Sequence, residues 1–160
     1  MRCSVKTLVV YYTRTGNSKF AAETIAAELG ADIEEVVDLK KRQGRLAYMS
    51  CGRDAMSGKE TEIAPTSRNP ADYDLIVIVQ PVWAWSPTPA IRTYVNRNDL
   101  PDKKVALFFG GTNLRQAVDK TKALIPTSTF VGELALDEPL KNKEEAEKKI
   151  AEWCNKLKTA

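Results

Sequence analysis

Residues 8–20 read LVVYYTRTGNSKF, an apolar run followed by hydroxyl side chains, one glycine and a helical pattern. A nearly continuous apolar run is typical of a strand covered on both faces. From Phe20 onward, apolar residues recur at helical spacing as far as Leu29, and Gly30 then provides a stop. The stretch therefore predicts a buried strand, a tight polar turn and a helix.

The polar turn has two possible interpretations. Thr13, Thr15, Asn17 and Ser18 surround Gly16 just before the first helical N–H groups, which lack intrahelical acceptors. A phosphate monoester would gain those donors, the hydroxyls and a helix-dipole contribution of about 0.3–2 kcal/mol, while Gly16 lets the backbone approach closely. Alternatively, Asn17 or Ser18 only caps the helix.

Strand-like and helix-like segments alternate along the rest of the chain. Strands are predicted at residues 7–12, 32–37, 75–79, 105–109 and 130–136. Helices are predicted at residues 18–29, near 87–96, at 113–124 and at 141–158, and residues 44–59 lean helical. This alternation predicts an α/β fold, an open doubly wound five-stranded parallel sheet with helices on both faces, in a single domain over residues 1–160.

The composition excludes several classes of chemistry. The 160-residue chain has no histidine, which excludes Ser-His-Asp and Cys-His catalysis. Cys3, Cys51 and Cys154 lie far apart without a C-x-x-C pair, so we expect no metal site and thiols without catalytic duty. Redox or transfer chemistry would therefore come mainly from a bound cofactor.

Charge and hydropathy restrict the partners. The net charge is +3, and its richest cluster, residues 141–158, mixes both signs at helical spacing. No basic stripe interleaved with aromatics is present, so we expect no nucleic acid partner. Neither a long apolar run nor a signal-peptide pattern is present, which predicts no membrane span and, by default, a cytoplasmic location.

Two more loops follow predicted strands, at the edge of the sheet where α/β proteins bind ligands. Trp83 and Trp85 lie in QPVWAWSPTP after the third strand, where they could stack on a flat group or one could cover the sheet edge. Gly110, Gly111 and Thr112 follow the fourth strand and allow close backbone approach. With the first turn, these loops predict a site for a mononucleotide with a planar aromatic head.

Other nucleotide motifs are missing from the sequence. The dinucleotide fingerprint G-x-G-x-x-G is absent. The segment GRDAMSGKE has one residue too many between its glycines for a Walker loop, and it ends in Glu60. Neither NAD nor ATP therefore has a dedicated loop.

The motifs YYTRTGNS, GRDAM and PVWAWSPTP together resemble the flavodoxin family over essentially the whole chain. The resemblance implies strand order 2-1-3-4-5 and FMN as the cofactor. It implies that the FMN phosphate is held by Thr13, Arg14, Thr15, Gly16, Asn17 and Ser18. The isoalloxazine would be bordered by Pro81, Val82, Trp83, Ala84 and Trp85, and its pyrimidine edge would be approached by Gly110, Gly111 and Thr112.

The resemblance also implies a function, an electron carrier between redox partner proteins, with a flavin reductase as one such partner. An NAD(P)H-dependent quinone or flavin reductase on the same fold is the alternative, and a flavin-binding sensor or assembly module without turnover is a third candidate. Flavodoxins are usually strongly acidic and carry a tyrosine after strand four, where this chain has GGTN. Three arginines, Arg14, Arg45 and Arg53, are either solvated or placed to neutralise a reduced flavin or dock an acidic partner.

Ala84 sets a further expectation from the resemblance. In the family, the loop after strand three can turn a backbone carbonyl toward the flavin. The resemblance places that turn in the state reached on one-electron reduction. If the turn is centred on Ala84, the turned state needs a positive φ, which penalises alanine relative to glycine by roughly 1 kcal/mol.

Overall fold

A computed structural model of the chain describes residues 4–42, 44–98, 100, 102–112 and 114–160, without the side chains of Arg45 and Tyr48. The strands are β1 Thr7–Tyr11, β2 Asp32–Glu35, β3 Leu75–Pro81, β4 Lys104–Gly110 and β5 Thr129–Leu136. The helices are α1 Asn17–Leu29, α2 Arg45–Met56, α3 Pro89–Arg97, α4 Arg115–Leu124 and α5 Lys143–Lys158. Short 3-10 turns occur at Pro70–Asp72 and Pro139–Lys141.

The five strands form one parallel sheet in the order β2-β1-β3-β4-β5. This order and the α/β class confirm the predicted fold. The predicted elements are all present, with ends that differ by a few residues. Residue 113, the predicted start of α4, lies outside the described residues.

The three central strands are buried on both faces because helices cover each side. Val9, Val77 and Phe108 point into a core that they share with α1 and α5. Their neighbours Leu8 and Ile76 point into the opposite core, which includes residues from α2, α3 and α4. Alternation of side chains along a strand thus supplies both cores from one apolar run, as the sequence indicated.

Side-chain caps begin two of the helices. Thr88 Oγ1 accepts a hydrogen bond from the Ile91 N–H at the start of α3, and Asn142 Oδ1 accepts one from the Glu145 N–H at the start of α5. Both caps satisfy donors that the helix itself leaves unpaired. Helix α1 begins after Gly16 without such a side-chain cap among the described residues.

The topology also determines where a ligand can bind. The chain runs from β1 to β2 on one side and then crosses to β3 on the other side of β1. The crossovers from β1 therefore diverge, which opens a crevice at the carboxyl ends of β1 and β3. Within the described parts of the chain, no helix has the length and apolar character needed to span a bilayer.

Candidate functional site

A cavity of about 540 Å³ lies at the carboxyl edge of the sheet, in the size range of small-molecule sites. It is bordered by the loops after β1, β3, β4 and β5 and by one side of α2. The lining residues are Thr13, Arg14, Thr15, Asn17, Ser18, Met49, Cys51, Gly52, Pro81, Val82, Trp83, Ala84, Trp85, Gly110, Asp137 and Glu138.

The structure thus brings the three predicted loops together around one cavity. Of the predicted cofactor-binding residues, Gly16, Gly111 and Thr112 are not among those that line it. A Cβ at Gly111 would lie 3.4 Å from the Val82 Cβ, so this glycine allows the loops after β3 and β4 to pack closely. Contact of any of these residues with a cofactor stays a prediction.

The first turn leaves the start of α1 open. Gly16 adopts φ 97°, and no side chain caps the helix there among the described residues. The Gly16 N–H donates to Thr13 Oγ1 at 3.0 Å, and the first intrahelical bond joins the Phe20 N–H to the Gly16 carbonyl at 3.0 Å. Neither Asn17 nor Ser18 caps the helix, so the simple capping interpretation is wrong.

Asn17 is instead used between loops. Its Oδ1 accepts a hydrogen bond from the Leu140 N–H at 3.0 Å, and its Nδ2 donates to Thr15 Oγ1 at 3.3 Å. The loop after β5 is thereby joined to the first turn. Ser18, buried beside Gly110, places a hydroxyl between the ends of β1 and β4.

The loop after β3 is a two-residue hairpin. The Trp83 N–H donates to the Ser86 carbonyl at 3.3 Å, and the Ser86 N–H donates to the Trp83 carbonyl at 3.0 Å. The two residues between them have positive φ, 48° at Ala84 and 57° at Trp85. Short hairpins favour such angles, but they suit glycine and asparagine, so this loop is strained.

Two side-chain hydrogen bonds in series hold the strained hairpin. Ser86 Oγ donates to the Ala84 carbonyl at 3.1 Å and accepts from Lys120 Nζ of α4 at 2.9 Å. Ala84 thus has a positive φ in this structure. The hydrogen bonds of Ser86 and Lys120 connect its carbonyl to α4.

The two tryptophans of the hairpin differ in exposure. Trp83 is 9% exposed, and its ring meets Tyr12 edge-on, with centroids 5.4 Å apart. The Arg42 guanidinium carbon lies 5.5 Å from the centre of the Trp83 ring. Trp85 is 52% exposed. Trp83 is thus a fixed wall of the cavity, whereas Trp85 stands at its mouth.

Arg42 is the centre of a buried ion-pair network. Its Nε lies 2.5 Å from Asp38 Oδ2 and its Nη1 lies 3.0 Å from Asp54 Oδ2, which Lys40 Nζ also contacts at 2.7 Å. Burial alone would lower the pKa of Arg42, but hydrogen bonds to the two carboxylates outweigh it and raise the pKa. The hydrogen bond from Lys40, joined by Arg42, lowers the pKa of Asp54. Arg42 therefore stays charged below Trp83.

The same arginine ties the network to the first turn. Arg14 Nε donates to the Arg42 carbonyl at 2.7 Å, while the Arg14 side chain also lines the cavity. Arg14 thus has a structural partner, in addition to any role toward an anion.

Comparison with known proteins settles the family. The sequence profile of the flavodoxin family matches residues 6–157. The chain belongs to the flavodoxin family. The predicted resemblance is therefore confirmed. A search of curated proteins found no match.

Solved flavodoxin-like structures share this fold. A flavoprotein from Lactobacillus acidophilus, crystallised in complex with FMN, is 26% identical, with a TM-score of 0.70 over 86% of this chain and 97% of its own. Oxidised flavodoxin 2 from Bacillus cereus is 20% identical, with a TM-score of 0.60 over 95% of this chain and 97% of its own. A flavodoxin from Streptococcus pneumoniae is 13% identical, with a TM-score of 0.58 over 95% and 97%.

Five lining residues of this flavodoxin-family chain were not predicted from its sequence. Asp137 and Glu138 follow β5. They could have been predicted, because ligands of α/β proteins bind at the carboxyl ends of the strands. Met49 and Cys51 come from α2 just before the GRDAM motif, and Gly52 is the first residue of that motif. These three residues lie within a helix, so the pattern of a strand followed by a polar loop could not identify them.

The structure also locates the other residues noted in the sequence. Arg53 is exposed and is not among the lining residues, while the side chains of Arg45 and Tyr48 lie outside the described part of the chain. Cys51 and Cys154 are buried free thiols, and Cys3 lies outside the described residues.

Proposed function

We propose that the chain binds FMN in the cavity and carries electrons between redox partner proteins. The observation that carries this proposal is one cavity joining the uncapped start of α1 to the Trp83 wall. Membership of the family and the FMN complex of the Lactobacillus acidophilus relative support FMN as the cofactor.

The residues present fit this cofactor. The start of α1 offers N–H groups that no side chain caps among the described residues, and Thr15 and Ser18 offer hydroxyls beside the positive end of the α1 dipole. All of these suit a phosphate. The buried indole of Trp83 offers an apolar face for a flat ring. Asp137 and Glu138 offer carboxylate acceptors, which suit the hydroxyls of a ribityl chain.

When bound, FMN supplies one- and two-electron chemistry. The chain's residues have separate tasks around it. Thr15 and Ser18 would bind and orient the phosphate end. Trp83, held by Tyr12 and Arg42, would exclude water from one side of the cavity. Trp85, half exposed at the mouth, would leave an edge that a partner can approach.

A carrier agrees with the sequence better than a stand-alone enzyme. The chain lacks a dinucleotide-binding loop, so a dedicated reductase rather than NADPH itself would deliver electrons. A flavin reductase as the donor and a cytoplasmic location remain predictions.

Two measurements test the proposal. Titration of the apoprotein should give one FMN site per chain, tighter for FMN than for riboflavin, with quenching of tryptophan fluorescence. Equal affinity for the two flavins would remove the phosphate assignment. Quenching that survives in Trp83→Phe, Trp85→Phe and the double variant would remove the tryptophan wall.

Anaerobic mixing then separates carrier from reductase. We expect NADPH alone to reduce the holoprotein slowly and NADPH with a flavin reductase to reduce it fast. Rapid, saturable NADPH oxidation with a quinone as the only acceptor would overturn the carrier function and favour the quinone reductase.

A further inference from the structure

Helix α2 presents an apolar stripe to solvent. Leu46, Met49 and Met56 are 86%, 74% and 62% exposed, and Arg53, also exposed, lies between the two methionines on the same side. These four residues follow the spacing i, i+3, i+7 and i+10, so they share one face of the helix. We refer to them as the α2 outer face. A helix on a protein surface usually shows polar side chains there.

The α2 outer face continues into the mouth of the candidate site. Met49 lines the cavity together with the half-exposed Trp85. Helix and hairpin pack closely, because a Cβ at Gly52 would lie 3.7 Å from the Ala84 Cβ. The exposed apolar groups of α2 and of the hairpin therefore border one opening. Contiguous exposed apolar surface of this kind marks an interaction site.

This part of the chain is also strongly basic. Residues 38–59 have a formal charge of +4, in a chain whose net charge is +3, and the charged residues are Asp38, Lys40, Lys41, Arg42, Arg45, Arg53, Asp54 and Lys59. Asp38 and Asp54, the two carboxylates among them, both belong to the ion-pair network around Arg42. Within the described residues, the exposed side chains of Lys41, Arg53 and Lys59 form no ion pair with any carboxylate.

The next carboxylate along the chain, Glu60, is exposed and offsets one of these positive charges. Glu60 accepts a hydrogen bond from Asn96 of α3. The surface around the α2 outer face thus combines an apolar centre with an excess of positive charge from Lys41, Arg53 and Lys59. A surface of opposite charge with its own apolar centre would complement it.

We propose that the α2 outer face docks an acidic redox partner protein beside the flavin. This inference rests on the proposed function, since Met49 and Trp85 border the opening through which electrons would pass. A second copy of the chain fits poorly, because a two-fold contact would place the same basic face against itself.

The test uses the holoprotein and an acidic [2Fe–2S] ferredoxin as the probe. Reduced ferredoxin passes one electron to oxidised FMN, and stopped-flow absorbance gives the second-order rate constant. We expect the rate to fall as salt is added and Arg53→Glu to lower it about tenfold at low ionic strength. Leu46→Gln, outside the cavity lining, should also lower it.

Lys148→Glu is the matched control. Lys148 is exposed on α5, which packs on the other face of the sheet, and the substitution changes the net charge equally. We expect this variant to keep the rate within about twofold, because its charge is screened from the docking face. Equal rate losses in Arg53→Glu and Lys148→Glu, or a rate independent of salt, would overturn the proposal.

Two further measurements distinguish a failed docking face from failed FMN binding and from a lipid surface. FMN affinity is measured for each variant. Failure of the unmodified protein to bind FMN would contradict the proposed function, whereas normal FMN binding with no effect of Arg53→Glu would contradict only the docking face. Flotation of the protein with phosphatidylserine vesicles, lost in Arg53→Glu, would assign the face to a lipid surface instead and overturn the protein partner.

Discussion

The first turn and the Trp83–Ser86 hairpin line the same cavity but reach their conformations in opposite ways. In the first turn the positive φ falls on Gly16, which adopts it without penalty. In the hairpin the positive φ falls on Ala84 and Trp85, at a cost on the order of 1–3 kcal/mol each. One wall is relaxed, and the other is held in place by its surroundings.

The surroundings that hold the hairpin are specific. The Lys120–Ser86 hydrogen bond anchors it from α4, and Arg42 and Tyr12 fix Trp83 from below. The relaxed wall suits a group whose position never changes, such as a phosphate. The strained wall suits a region whose conformation influences the properties of a bound ring. Substitutions can break one wall, the other, or both.

Arg42→Met should have the largest effect, because the Arg42 side chain supports the Trp83 wall and pairs with two carboxylates, whereas its carbonyl, which accepts from Arg14, is retained. The substitution leaves Asp38 and Asp54 buried without their guanidinium, and we expect a loss of about 3–5 kcal/mol in the unfolding free energy of the apoprotein, measured by urea denaturation. Lys40→Met is the control, since Lys40 is half exposed and should cost about 1 kcal/mol or less. Similar losses in the two variants would show that Arg42 is not the centre of the network.

Thr15→Ala combined with Ser18→Ala should break only the relaxed wall. Each hydroxyl that donates to a charged phosphate contributes about 1.5–3 kcal/mol, so FMN affinity should fall tenfold or more, while riboflavin affinity changes little. Thr24→Ala on α1 is the control, because its hydroxyl bonds the Phe20 carbonyl away from the cavity. Parallel losses for both flavins would place the phosphate elsewhere.

Ala84→Gly should relax the strained wall. Glycine adopts a φ of 48° freely but is more flexible in the unfolded chain, so we expect the unfolding free energy to rise by up to about 1 kcal/mol. Ala90→Gly, a buried position in α3, is the control and should be destabilising. Destabilisation of both variants by equal amounts would mean that the hairpin stores no strain at Ala84.

The smallest expected effect concerns the thiols. Burial raises the pKa of Cys154 to about 11, so at pH 8 this thiol should stay unmodified by iodoacetamide in the folded protein. Cys51 is also buried but lines the cavity, and we expect bound FMN to slow its alkylation. Peptide mass spectrometry gives both rates. Cys51 alkylation that is unaffected by saturating FMN would place the cofactor away from α2.

The apolar runs of β1, β3 and β4 and the three loops after the strands were readable from the sequence, because buried strands and polar turns leave local patterns. The buried ion-pair role of Arg42 was not readable, because it depends on Asp54, which comes from α2, as well as on Asp38, four residues earlier. The different exposure of Trp83 and Trp85 could not be predicted from the sequence either, because it also depends on tertiary packing. Local sequence does not reveal which side of a hairpin packs on Tyr12.

The hydrogen bond between the Leu140 N–H and Asn17 Oδ1 spans 123 residues of chain. Ribosomes make proteins from the amino end, so the first turn emerges long before the loop that braces it. Strand β1 likewise cannot be paired on both sides until β3 has been synthesised, because it lies between β2 and β3 in the sheet. During synthesis, the nascent chain therefore completes this cavity only after all five strands have been made, because Asp137, Glu138 and Leu140 follow β5. We expect FMN to be captured late in translation or after release.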